Sequence, residues 1–95
     1  MSCVQVVRID LGQVTSARQL HHLLRDSLGF PEWYGCNWDA FWDGISGLVQ
    51  MPRQLQLSGW EAFARRLPRD ADLMQKCLAT LQAEYPQMAS EVLFE

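Results

Sequence analysis

No apolar run in this sequence approaches the ~18–20 residues of a membrane-spanning helix, so no membrane span is expected. The first eight residues, Met1-Ser2-Cys3-Val4-Gln5-Val6-Val7-Arg8, have neither the basic region nor the long apolar region of a secretory leader. Cysteine is scarce. Cys3, Cys36 and Cys77 are odd in number and widely spaced, which argues against a disulfide framework or a zinc site. They fit reduced thiols in a cytoplasmic protein, packed as small hydrophobes. Repeats, low-complexity tracts and linkers are missing, so residues 1–95 are expected to form a single domain. A Gly-rich phosphate loop, a zinc motif and a nucleophile elbow are missing as well. No cofactor is expected.

Positive charge is in short supply. Eight basic residues stand against 11 acidic ones, a net charge of −3. That balance argues against nonspecific binding to nucleic acid or to an anionic membrane, both of which need a basic surface. The shortage is local. No Lys or Arg occurs from Asp26 to Pro52, and residues 31–47 contain Glu32, Asp39 and Asp43 with no base. One short stretch thus carries an acidity equal to that of the whole chain.

What is present is an ordinary globular composition: 95 residues, 48% hydrophobic and 20% charged, with four Trp, four Phe and two Tyr. The β-branched run from Cys3 to Leu11 reads as a strand, and Val6 beside Val7 suggests burial on both faces, as in a parallel sheet. Gly12 ends it. Ser16 with Gln19 fits a capping box, and Leu20, Leu24 and Leu28 follow at helical spacing up to Gly29. His21 and His22 point about 100° apart on this helix and cannot share one metal. His22 with Asp26 reads as a solvent-facing pair.

Phe30 to Cys36 is an aromatic loop. Asn37 caps a second helix with Trp38, Phe41, Ile45, Leu48 and Val49 as its apolar stripe, closed by Pro52. Leu55 and Leu57 alternate with Gln54 and Gln56 in a short strand. Trp60, Phe63, Ala64 and Leu67 mark a third helix, which Pro68 breaks. Asp70 can cap a fourth, with Leu73, Met74, Cys77, Leu78, Leu81 and Tyr85 on its apolar face. Ser90 to Phe94 reads as a last strand. The order βααβααβ predicts an α/β fold in which a small three-stranded parallel sheet packs with four helices. The first strand is expected at its centre.

On a wheel of about 100° per residue, Asp39, Trp42, Asp43 and Ser46 fall on the flank beside the second helix's apolar stripe. Asp39 and Asp43 are one turn apart, so like charges face one another with no base in the helix to relieve them. A large aromatic between unpaired acids is a plausible centre for an interface. The preceding loop adds Glu32, Trp33 and Tyr34, more than a short loop needs for packing. Gly35 allows close approach of a partner backbone. Mg²⁺ or Ca²⁺ on Glu32, Asp39 and Asp43 is disfavoured, because oxygen cages draw on more ligands.

The run Pro31-Glu32-Trp33-Tyr34-Gly35-Cys36-Asn37-Trp38-Asp39-Ala40-Phe41-Trp42-Asp43 resembles the signature of the barstar family, the intracellular inhibitors of barnase-type ribonucleases. Gly47, Pro52, the element order and the chain length fit the same pattern. The resemblance implies a protein inhibitor of antitoxin or immunity type and not an enzyme, a monomer in a one-to-one complex with a basic barnase-like ribonuclease or toxin. It would contact no nucleic acid directly. It implies that Asp43 mimics a substrate phosphate, that Asp39 meets a second basic group, and that Trp33 packs on the enzyme's catalytic surface. Gly35, Trp42 and Ser46 would complete the contact. Thr80 stands where the family's type member has an acidic contact on its last helix, with Glu84 one turn further along. Leu48 stands where that member has a Trp. Two rival functions stay open on the residues alone: a non-inhibitory module binding another basic protein, and a hydrolase using Asp39 and Asp43 as acid and base.

Overall fold

The computed structural model describes residues 6–95. Among them, β1 (Val6–Asp10), β2 (Gln54–Ser58) and β3 (Glu91–Phe94) form one parallel sheet. The helices are α1 (Ala17–Leu28), α2 (Trp38–Asp43), α3 (Trp60–Arg66) and α4 (Pro68–Glu84). The predicted element order and the parallel pairing are therefore both present. Cys3 and the start of the first strand lie outside the described residues.

The strand order is β1-β2-β3, with β2 and not β1 at the centre. This corrects two expectations together. Right-handed crossovers that all step the same way across a sheet leave their helices on one face. The other face of this sheet carries Val6, Arg8 and Asp10 of β1 beside Gln54, Gln56 and Ser58 of β2, in direct register. Val6 is accordingly exposed, while Ile9, Leu55 and Leu57 on the opposite face are fully buried. The open face is polar and internally bonded: Gln56 Nε2 donates to Gln54 Oε1 at 2.6 Å, and Gln54 Nε2 to Glu91 Oε1 at 3.0 Å.

The helices start and stop where their caps direct. Ser16 Oγ accepts from the Gln19 amide at 3.1 Å. The reciprocal arm of the capping box is displaced by one residue, since Gln19 Oε1 takes the Thr15 amide at 2.8 Å. Gly29 ends α1, with its N–H bonded to the Arg25 carbonyl. Pro68 does not merely break α3. It is the first residue of α4, where a missing N–H costs nothing. Asp70 is thus inside the first turn of α4 and not its cap.

Leu20, Leu24, Phe41, Ile45, Phe63, Met74 and Leu81 close over the apolar face of the sheet. Each fully buried side chain of this size contributes roughly 1.5–3 kcal/mol of apolar transfer. The buried side of α4 is Ala71, Met74, Leu78 and Leu81. Leu73 and Cys77, expected in that stripe, are only half-buried, because the face of α4 that meets the sheet is turned away from them. After Asp43 the second helix changes pitch: Gly44–Leu48 forms a π-helical turn. The wider turn breaks the phase of the predicted stripe, and Leu48 ends 48% exposed.

Candidate functional site

The site begins in the loop between α1 and α2. Phe30 and Tyr34 are buried against one another, ring centroids 4.8 Å apart. Trp33 lies between them in sequence and is 72% exposed. The loop thus divides its aromatics, two anchoring it from below and one presented to solvent. Tyr34, read from sequence as surplus to packing, is an anchor.

Asn37 fixes how the loop enters the helix. Its side chain accepts the Ala40 amide at 2.7 Å and donates to the Gly35 carbonyl at 3.1 Å. Between those two residues Cys36 takes a left-handed φ of 54°, a conformation that a non-glycine residue holds only when its surroundings impose it. Gly35 has an internal reason to lack a side chain. A Cβ there would press on Asn37 Nδ2 at 3.2 Å and on the Ala40 methyl at 3.4 Å.

Helix α2 then sets Trp38, Asp39, Trp42 and Asp43 along one wall of an open cleft of about 540 Å³. The other wall belongs to α4, with Leu73, Lys76, Cys77 and Thr80 at spacings of three and four. Of the residues singled out from the sequence, the cleft brings together Asp39, Trp42, Asp43 and Thr80. Trp33 and Gly35 stand exposed in the loop outside its lining. Ser46 is half-buried, and its hydroxyl donates to the Trp42 carbonyl at 2.6 Å.

Asp39 and Asp43 are both exposed. The ion pairs among the described residues are Arg25–Asp26, Arg65–Glu61 and Lys76–Asp72, and neither carboxylate takes part in one. Lys76 brings the cleft's one basic side chain, held 2.9 Å from Asp72 on its own helix. The Cys77 thiol is pushed above its ordinary value, first by burial and then by the negative charge of Asp39, so both effects favour its protonated form. Among the described residues no three His, Cys, Asp or Glu side chains converge as metal ligands would.

Sequence reasoning missed the α4 wall apart from Thr80. The signal was there in Leu73 and Cys77, which share a helix face with Thr80, but both were assigned to the core. It also missed what lies beneath α2. His21 is 2% exposed, with Nδ1 2.7 Å from the Tyr34 hydroxyl and its ring 4.6 Å from that of Trp38. Trp38 Nε1 donates in turn to Asp70 Oδ1 at 3.0 Å. Burial holds His21 below its ordinary value, while the Asp70 charge pulls the other way and His22 adds to the lowering. The Tyr34 hydroxyl is raised by burial. At neutral pH the buried pair is uncharged.

The family model described as "Barstar (barnase inhibitor)" matches residues 4–94. A protein of Bacillus subtilis (strain 168) named "Putative ribonuclease inhibitor YrdF" is 38% identical over 65 residues, covering 68% of this chain and 71% of that protein. No helix among the described residues is long and apolar enough to cross a membrane.

Proposed function

The chain belongs to the barstar family, and from that premise we propose that it inhibits a barnase-like ribonuclease by covering the enzyme's active site. One observation carries the reading. The cleft wall presents Asp39 and Asp43 beside Trp42, exposed and free of ion pairs among the described residues. A site built to hold RNA phosphates keeps fixed positive charge. Carboxylates on a capped helix satisfy that charge without offering a bond to cleave. Asp43 takes the place of a substrate phosphate, and Asp39 meets a second basic group. Trp33, Gly35, Trp42 and Ser46 form the surrounding contact, and Thr80 faces the enzyme from α4. Complementary charge speeds encounter and fixes register. Acting in this way the chain is a cytoplasmic antitoxin of immunity type, a monomer in a one-to-one complex.

Asp43→Ala tests the proposal against barnase as the probe enzyme. Truncating one partner of a buried charge pair costs about 2–5 kcal/mol, a range to which barnase–barstar measurements themselves contribute. The expected result is a loss of that size in inhibition of RNA cleavage, with the circular dichroism spectrum and urea midpoint unchanged. An unaltered inhibition constant would remove Asp43 from the contact.

A further inference from the structure

Beneath the proposed contact surface runs a polar chain, buried at His21 and Tyr34 and half-buried at Trp38 and Asp70. It starts at His21 on α1, reaches Tyr34 in the loop and Trp38 at the start of α2, and ends at Asp70 on α4. Tyr34 stands between Trp33 and Gly35 in sequence, and Trp38 directly precedes Asp39. One imidazole therefore underlies both halves of the surface, the loop and the acidic wall. Through Asp70 the chain also ties these to α4, the opposite wall of the cleft.

We propose that His21 is a positioning residue for partner recognition: neutral, it pins Tyr34 and Trp38 so that Trp33, Gly35 and Asp39 stand in one arrangement, and protonated, it releases that arrangement and weakens ribonuclease binding. This rests on the inhibitor reading of the same surface.

The groups around the ring set the direction. From the loop, the Tyr34 hydroxyl shares one hydrogen with neutral Nδ1 in either tautomer. From α2, the Trp38 ring closes over the imidazole. From α4, Asp70 favours the charged form, but its Oδ1 is already engaged by Trp38 Nε1. On α1, His22 opposes a second positive charge. Burial outweighs Asp70, so an imidazolium in this enclosure is unfavourable until the loop lets water reach it. A bound partner holds the loop shut, while a proton favours the loosened loop. The two then compete, and by linkage each weakens the other.

The sign follows from the lowered value of His21. Well above the ordinary imidazole value of 6.5 the ring is neutral in every state and the coupling vanishes. Below it the loosened form gains the proton first, and one proton limits the loss to about tenfold in affinity per pH unit.

The test is inhibition of barnase-catalysed RNA cleavage from about pH 7.5 to about pH 5.5 by the wild type and by His21→Gln. Glutamine keeps a hydrogen-bonding group for Tyr34 but cannot take a proton. Titrations of the enzyme and of the surface carboxylates are common to both proteins and drop out of the ratio. Each protein is compared with its own inhibition at the higher pH, and the wild type is expected to lose more affinity over that range than His21→Gln, by up to about tenfold. Parallel curves would overturn the role of His21 and leave the inhibitor reading standing. A wild type that fails to inhibit at the higher pH would instead overturn the inhibitor reading and this coupling with it. Should His21→Gln fold poorly, imidazole proton NMR of the wild type decides the matter. His21 must titrate lower in the complex than in the free protein, and equal values refute the coupling.

Discussion

A Cβ at position 44 would stand 2.7 Å from Cε1 of Phe30 and 2.9 Å from Cζ. Phe30 has no room to yield, because its ring is buried and packed on Tyr34 and Phe41. Gly44→Ala is therefore expected to destabilise the protein by about 1–3 kcal/mol, the usual cost of overpacking, although alanine favours a helix over glycine. Urea denaturation checks it, and a stabilised variant would contradict the close contact. Single residues also show where sequence legibility stopped. The exposure of Trp33, Asp39 and Asp43 was readable, from charge in the two aspartates and from an aromatic surplus in a short loop. The burial of His21 and Tyr34 was not, because polar atoms disguise core positions. Yet His21 sits one residue after Leu20 and three before Leu24, inside the α1 stripe. Its spacing placed it in the core even while its chemistry suggested solvent.

A six-residue helix is too short to hold itself together in water, so α2 depends on its ends and its neighbours. Asn37 serves both the helix and the loop before it. Asn37→Ala is expected to cost about 1 kcal/mol of stability, as loss of a cap does. It should also weaken inhibition, because Trp33 and Asp39 lose their common frame. Asn37→Asp retains the oxygen for Ala40 but not the donor to Gly35. Its inhibition should fall between the two, and an order in which it matches alanine would show that the helix cap contributes nothing. At this scale the caps were legible: Ser16, Asn37 and Gly29 mark real ends because their side chains, or the lack of one, satisfy terminal backbone groups. The π turn after Asp43 was not, since a helical wheel assumes constant pitch, and the widened turn displaces Leu48 from the stripe. Nor was the strand order. Alternation in Gln54–Ser58 records which face of the strand is buried, although the adjacent Val6 and Val7 of β1 suggested burial on both. It says nothing about which strand lies beside it.

The whole molecule spans 36 × 28 × 23 Å, and that size sets how salt should act on association. At about 0.01 M ionic strength the screening length is ~30 Å, comparable to the protein, so an approaching nuclease feels every charge and the net of −3 draws it in. Near physiological ionic strength the length is ~8 Å, and only the charges on the approached face count. Asp39 and Asp43 lie on the cleft wall, whereas Arg65 lies off the cleft on α3, paired with Glu61. Arg65→Ala makes the chain more acidic without touching the contact. It should speed association with barnase at about 0.01 M salt and leave it unchanged at about 0.15 M. Asp39→Asn should slow association at both, by less at the higher salt. Stopped-flow mixing separates the two rates, and dissociation should respond to Asp39→Asn but not to Arg65→Ala. If Arg65→Ala and Asp39→Asn shift the association rate by equal amounts in opposite directions at both salts, total charge steers the encounter. The acidic wall would then add only its share to the sum.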